Sequence, residues 1–576
     1  MLDSSGHGFQ TLVHSVEQGK YAPIVRGIAA FVVVVVLAIL YILVQFRGFN
    51  TADAMDQGQI SRALASGEGF STKYIRPMAL WQMDRAKKNL PGGIVPDILQ
   101  PPLSPLVNTV PVLLTKGYWT IGPKDIVYPA ERAIATFSVV LFLAAVGVGF
   151  LVARRLFDDQ VALVGCAMVL VTDLLWQFSL SGLPHILLML LLMIASLAIV
   201  KAMDEQVDAP QGPALKKWLL QGAIGALFAL MTLSHWLACW FFAGYLFFAF
   251  FYFRPRVLPL AAIVVFLLVF APWIVRNVMV CGHPFGIAIY PLQGQTTLMR
   301  SLEPDFSDLF YGFKLNMRLG IMDQVGNIFS YLGLNIAAGA FFLALFHPFR
   351  RVTTAKFRWC VLAMWVGAVL GMGAYGPVKG VVSTLQLHSV FIPLMVFYGL
   401  AFLLVLWNRL GFQQSLMRLV FNGVIVTIAA IPMVLTLFAS HGPGVNWPPY
   451  IPPYIATLGK MYQPDEALSS DMPWAVAWYA NRKCLLLPDK PKTMLEISDY
   501  NVIGAPIRGL YLTPITGDAR FWSEIVRGEY REWAGVIMRN QQAINSFPLH
   551  SVMAVMEGHL LLLSDQDRWS TMRAEP

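Results

Sequence analysis

Apolar residues run in long blocks along the first 440 positions, separated by short polar connections. A bilayer core about 30 Å thick takes roughly 20 such residues per helix. On that measure the pattern predicts about eleven spans, near 24–46, 132–153, 160–179, 183–203, 217–234, 236–253, 257–275, 326–346, 358–376, 386–407 and 418–440. The first run, Ile28 to Phe46, is too long for the apolar part of a cleaved signal and has no small-residue cleavage site behind it, so it reads as a retained span. After Ser440 the pattern changes: Pro and Gly cluster over His441–Pro453, and short apolar runs such as Cys484–Leu487, Gly509–Leu512 and His559–Leu563 alternate with polar stretches. With helical patterning over Trp474–Asn481 and Phe521–Asn540, this predicts a small soluble α/β domain over 441–576 with a partly parallel sheet, behind an all-α polytopic transmembrane domain over 1–440.

The connections between blocks are asymmetric in charge. Arg154 and Arg155, Lys201 with Lys216 and Lys217, Arg254 and Arg256, Arg350 to Arg358, and Arg409 to Arg418 fall on one side. The alternate short loops carry almost no Lys or Arg, Lys379 excepted. Positive loops mark the cytoplasmic face, which puts the N-terminus inside. The loops Arg47–Glu131 and Arg276–Gln324 and the C-terminal tail then face the non-cytoplasmic side.

Composition agrees with a bilayer protein: 57% of the 576 residues are hydrophobic and 13% are charged. The net charge of +9 comes from residues flanking apolar runs, not from a basic stripe with interleaved aromatics, so nucleic acid is excluded as a partner. The five cysteines, Cys166, Cys239, Cys281, Cys360 and Cys484, form no CxxC pair and no zinc spacing. Cys281 and Cys484 share the outer side, which leaves a bridge between them open.

Candidate chemistry concentrates in the first long loop. Met55, Ile60, Ala63 and Leu64 recur at helical spacing over Ala52–Ser66, with Gly67 and Gly69 as a stop, which predicts a short amphipathic helix on the membrane surface. Its polar side carries Asp53, Asp56 and Arg62, acids and a base at the boundary where lipid headgroups sit. Lys73 and Arg76 follow, able to bind a phosphate or simply to touch headgroups. Arg276 and Asn277 leave the seventh span at a place where a guanidinium could clamp a phosphate or anchor the helix. No metal motif appears, but paired loop acids could hold a divalent cation, because oxygen ligands leave weak signatures.

The segment Asp53-Ala-Met-Asp-Gln-Gly-Gln-Ile-Ser-Arg62, then Ala-Leu-Ala-Ser-Gly-Glu-Gly-Phe, resembles the first-loop pattern of GT-C glycosyltransferases of the protein-mannosyltransferase (family 39) and aminoarabinose-transferase type. So do Gln100-Pro-Pro-Leu103, Glu131-Arg132, Ala271-Pro-Trp-Ile-Val-Arg-Asn277 ahead of Gly282-His-Pro-Phe285, and His388 through Pro393. Ser469 to Arg482 is similar to a segment of bacterial members with a soluble C-terminal domain. The resemblance implies a GT-C-like fold and an integral membrane glycosyltransferase. It would move a hexosyl or pentosyl group from a polyprenyl-phosphate donor to a protein, glycan or lipid acceptor on the extracytoplasmic side of a bacterial inner membrane.

The same resemblance makes a loop acid catalytic. The usual Asp-Glu pair reads Asp53-Ala54 here, and an alternative register, favoured over the first, makes Asp56 the principal acid with Asp53 as the other candidate. Arg62, Lys73, Arg76, Asp97, Arg276 and His388 are the implied substrate-binding set; Asp97 stands near the place of an acid that often precedes the Pro-Pro pair, and His388 stands where an Arg is common. His185, Asp173 and His235 fall at span ends, where interface packing explains them as well. Two other readings stay open: a non-catalytic scaffold for envelope glycan assembly, favoured by the missing Glu, and a lipid or solute transporter, which the sparse mid-membrane charges and absent repeats disfavour.

Overall fold

The computed structural model describes residues 22–569 apart from 89, 91–92, 123–124, 126, 209–213, 291–295, 308, 379, 412–413, 440–451, 514–515, 517–525, 546 and 557–559. The Pro/Gly cluster as far as residue 451, and Lys379, lie outside the described residues. Residues up to Phe46 form one unit, represented by the apolar helix α1 (Ala22–Gln45), and residues from Arg47 onward form the other.

The second unit begins with α2 (Ala52–Ser66), the helix expected from the loop pattern. The side chain of Thr51 accepts from the Ala54 N–H at its start, and Gly67 closes it at φ 83°. Only glycine adopts that left-handed conformation without strain, which is why the helix stops there. It differs from expectation in its surroundings: Ala54 through Ala63 are all buried, so it is enclosed by protein and presents no solvated polar face. Strand β1 (Tyr74–Ile75), α3 (Pro77–Arg85) and α4 (Leu103–Leu114) complete the loop.

The membrane portion runs through α5 (Pro129–Leu156), α6 (Asp159–Leu170), α7 (Asp173–Leu180), α8 (His185–Asp208), α9 (Ala214–Ser234), α10 (Cys239–Tyr252) and α11 (Pro259–Cys281). After the short α12 (Thr296–Arg300) it continues with α13 (Leu309–Gly326), α14 (Ile328–Tyr331), α15 (Ile336–Ala344), α16 (Val352–Tyr375), α17 (His388–Arg409) and α18 (Ser415–Phe438). Among the described residues, eight helices, α1 included, are long and apolar enough to cross a bilayer, and the pair α6–α7, bent by 58°, makes a ninth. Two of the eleven expected spans take other forms. The stretch near 236–253 is a shorter apolar helix. The stretch near 326–346 breaks into short helices because Gly333 and Leu334 turn the chain at φ 68° and 54°, and Asn335 then caps α15 through the Ala337 and Ala338 N–H groups.

At the Arg/Lys-rich ends, buried Asp204 of α8 accepts from Arg155 Nε at 2.8 Å, Arg351 at 2.8 Å and Thr353 Oγ1 at 2.7 Å, which ties the ends of α5, α8 and α16 together. Engaging both of its oxygens with donors is what lets a carboxylate be buried there.

The C-terminal region contributes α19 (Pro452–Met461), β2 (Ala467–Ser470), α20 (Pro473–Ala475) running into a π-helical turn (Val476–Ala480), β3 (Lys483–Leu486), α21 (Pro491–Asp499) and β4 (Ile507–Leu512). The short α22 (Ala534–Ile537) and α23 (Gln541–Asn545) lead to β5 (Ser551–Met556) and β6 (Leu560–Ser564). The sheet order is β1-β3-β2-β4-β6-β5, parallel as far as β4 and antiparallel beyond, in keeping with the mixed sheet expected. Its edge strand β1 comes from the first loop, with Tyr74 opposite Cys484 and Ile75 opposite Leu485. The core beneath it is equally mixed: Met78 and Met83 of α3, Ile98, and Ile287 and Leu298 of the second long loop pack with Leu485, Leu510 and Trp533. All five cysteines are free, so Cys281 and Cys484 are not bridged.

Asp471, at the carboxyl end of β2, is buried and accepts from Thr513 N at 3.0 Å, Thr513 Oγ1 at 2.8 Å and Thr516 N at 3.2 Å. Burial nevertheless pushes its carboxyl up to about 6, the hydrogen bonds offsetting only part of the effect. An acid held above its unfolded value binds its proton more tightly when folded, so stability falls as pH rises from near 4 to about 6. Thermal unfolding across that window should show this slope, and Asp471→Asn should flatten it; an unchanged slope would refute the assignment.

Candidate active site

The end of β1 places Arg76 as the N-terminal cap residue of α3, and Pro77 in the first turn fixes the start of that helix. Arg76 is 5% exposed and lies at 2.5 Å from Asp56 Oδ2 and 3.5 Å from Asp97 Oδ2, with its guanidinium 3.7 Å above the Tyr74 ring. Asp97 is held by its own turn, Oδ1 accepting from the N–H groups of Leu99 (3.0 Å) and Gln100 (2.7 Å), which leaves Oδ2 aimed at Arg76.

Asp56 is 1% exposed and fully engaged: besides Arg76, it accepts from Gln100 Nε2 at 2.8 Å and Gln59 Nε2 at 3.2 Å. Gln59 is itself fixed by Thr72 Oγ1 at 2.7 Å and by the Lys73 N–H at 3.0 Å. Asp53, one turn earlier, is half-buried, receives Thr384 Oγ1 at 2.6 Å on Oδ2, and has only a long 3.5 Å approach from Gln100 on Oδ1.

Three carboxyls thus face one buried guanidinium. Burial raises the Asp53 carboxyl above its ordinary value and neighbouring Asp56 raises it further, against the lowering effects of Thr384, Arg76 and Gln100. Asp97 is pushed up to about 6 by burial and by Asp56, with Arg76 opposing. Among the described residues no three His, Cys, Asp or Glu side chains converge as metal ligands.

The other sequence candidates lie around this cluster. Arg276 donates to the carbonyls of Asp97 (2.6 Å) and Phe70 (3.2 Å) and packs on Trp273, so it fastens the acid-bearing loop to α11. Lys73 reaches Asn481 Oδ1 at 2.7 Å, and burial, with Arg62 next in effect, lowers its ammonium to about 8. Arg62 donates to the carbonyls of Trp478 and Ala477, each at 2.6 Å, and pins the π-helical turn. His388 lies in a separate network, accepting from Trp365 Nε1 on Nδ1 at 2.9 Å and bonding Gln324 Oε1 at 2.9 Å.

Sequence reasoning missed Gln59, Thr72 and Thr384, and read Glu131 only as part of a motif. Glu131, in the first turn of α5, is fully buried and accepts from Trp478 Nε1 (2.7 Å), Tyr479 OH (2.8 Å) and the Phe49 N–H (3.2 Å). Loop one, the membrane helices and the π-helical turn therefore meet on a single carboxylate.

Comparison with known proteins follows this architecture. The profile of the dolichyl-phosphate-mannose-protein mannosyltransferase family matches residues 125–275. No curated protein matches the sequence. Among solved structures, ArnT from Cupriavidus metallidurans bound to undecaprenyl phosphate superposes with a TM-score of 0.53 at 11% identity, over 94% of this chain and 98% of that one. The archaeal oligosaccharyltransferase AglB from Archaeoglobus fulgidus, in complex with an inhibitory peptide and a dolichol-phosphate, superposes with a TM-score of 0.51 at 11% identity, over 88% of this chain and 72% of that one. The chain is therefore a polytopic membrane protein of GT-C-like fold, whose residues 125–275 match the profile of the dolichyl-phosphate-mannose-protein mannosyltransferases.

Proposed function

We propose that the protein transfers a sugar from a polyprenyl-phosphate donor to an acceptor hydroxyl or amine, at the face of the membrane that carries loop one, with Asp53 as the base. The observation that carries this reading is the contrast between two acids one helical turn apart. Asp56 is consumed by Arg76, Gln100 and Gln59, whereas Asp53 is half-buried and keeps Oδ1 nearly unengaged.

Such a transfer needs a base to take the acceptor proton and donors to stabilise the departing phosphate. Asp53, raised by burial, is suited to the first task because a base works best when its pKa approaches the working pH. Arg76 is suited to the second: Asp56 and Asp97 hold it in place and the Tyr74 ring supports it from one side. The acceptor oxygen or nitrogen bonds to the anomeric carbon and gives its proton to Asp53, while the sugar–phosphate C–O bond breaks and its electron pair leaves with the phosphate. Both related structures are described as holding a polyprenyl phosphate, which agrees with this donor class.

The purified protein in lipid, given a panel of polyprenyl-phosphate hexoses and pentoses with candidate acceptors, should release polyprenyl phosphate from at least one donor. Absence of release from every donor by folded protein would move the reading to a scaffold. The lysine-and-arginine pattern of the short loops supports placing this face away from the cytoplasm, in a bacterial inner membrane.

A further inference from the structure

Thr384 lies 331 residues from Asp53 in sequence, yet its hydroxyl donates to Asp53 Oδ2 at 2.6 Å. It belongs to a strap, Ser383–Leu387, that enters α17 from the connection after α16. Nothing in a hydroxyl-bearing residue of a short loop signals such a role, so the contact is meaningful only if the strap is held.

Two histidines hold it. His185, buried at the start of α8, bonds the Gln386 carbonyl through Nε2 at 2.9 Å, and Phe178 stacks on its other face at 4.3 Å. A carbonyl accepts only from a protonated nitrogen, so Nε2 carries the proton. His235 receives the Leu237 N–H on Nδ1 at 3.2 Å, lies beside the Thr384 backbone, and meets the His185 ring at 6.2 Å. From the other side, the Gln386 side chain donates to the Tyr331 carbonyl at 2.9 Å and accepts from the Ser389 N–H at 3.4 Å. The strap is therefore fastened on both faces within three residues of the threonine.

Building on the reading of Asp53 as the base, we propose that Thr384 is a positioning residue for it. The strap clamped by His185 and His235 places the hydroxyl on Oδ2, fixes the carboxylate plane, and turns Oδ1 towards the acceptor. A carboxylate with one oxygen occupied by a fixed donor presents the other in one direction only, as the orienting group of a catalytic triad does for its histidine. The same hydrogen bond favours the ionised form, against the burial and the Asp56 charge that oppose it. The charged and titratable groups facing Asp53 are Asp56 on its own helix, and Arg76 and Tyr74 from β1 and the start of α3.

The test uses the full-length protein in lipid with two readouts. The carboxyl infrared band that Asp53→Asn removes gives the Asp53 titration without any substrate. Thr384→Val should raise its midpoint by about one pH unit, Thr384→Ser should restore it, and His185→Phe should move it in the same direction by less. In the donor-release assay, Thr384→Val should lower kcat about tenfold with donor KM unchanged, and should carry the low-pH limb of the rate profile upward with the infrared midpoint. An unmoved midpoint overturns the proposal whether or not a donor is found. A faster Thr384→Val enzyme also overturns it, because the threonine would then be a plug in the acceptor's place. Loss of the base reading is separate: it appears as release that survives Asp53→Asn.

Discussion

On the proposed function, Asp53→Asn should abolish sugar transfer, by about 10²- to 10⁴-fold in kcat, while donor KM and thermal stability stay close to the parent values. Asparagine keeps the shape and can still accept from Thr384, but it cannot take a proton. It also removes a half-buried carboxylate whose ionisation burial opposes, so the fold loses nothing by the change. Asp56→Asn behaves differently. It leaves Arg76, 5% exposed, with Asp97 at 3.5 Å as its remaining carboxylate partner, and a buried charge deprived of its closest counter-ion costs stability. That variant should melt earlier and bind donor less well in the same preparation. Steady-state kinetics with melting curves separate the two, and an active Asp53→Asn beside a dead, stable Asp56→Asn would exchange their roles. In the parent enzyme the rate should rise with pH through a midpoint above the ordinary aspartate range and then level, since the base acts only when ionised.

Glu131→Ala should be the most destabilising single change near the site. The side chain is fully buried, and its loss removes the acceptor that the Trp478 indole N–H, the Tyr479 hydroxyl and the Phe49 N–H share. A buried hydrogen bond lost in this way costs about 1–3 kcal/mol, so a loss of about 3 kcal/mol is expected for the three together. Glu131→Gln retains an acceptor and should lose roughly half as much. Tryptophan emission during unfolding, together with protease susceptibility of the 452–569 region, reports the effect. Glu131→Ala with parental stability would mean that the aromatic packing of Tyr128 against Trp478, at 4.9 Å, holds the seam without the carboxylate.

Local patterns carried much of this into the sequence. The bounds of α2 follow from Thr51, the apolar spacing and Gly67, all within one stretch of chain. The bilayer class follows from block length, and Asp53, Asp56, Arg76 and Asp97 stand out because charge is scarce in such a chain. What the sequence concealed depends on distant partners. A surface helix was the natural expectation for α2, since Gly58 gives no hint that the Trp478 ring would lie 3.2 Å from an added β-carbon. Thr384 and Gln59 are ordinary polar residues until the fold brings Asp53 and Thr72 to them. Tyr74–Ile75 is too short to announce a strand, because two residues acquire that geometry only from the neighbour they pair with. The broken stretch at 326–346 was hydrophobic enough to be read as a span, and positive φ at Leu334, a residue that rarely adopts it, leaves no mark in hydropathy.

The borrowed edge strand also sets an order of events during synthesis. Tyr74 leaves the ribosome about four hundred residues before its partner Cys484, so the sheet cannot close until nearly the whole chain has been made. Arg76 follows β1 directly, and its position is settled by that same late closure. A nascent or truncated chain therefore carries both acids with Arg76 not yet fixed beside them. The proposed site would then be assembled only in the complete molecule, and a severed C-terminal fragment would expose the unpaired edge of β3, inviting aggregation.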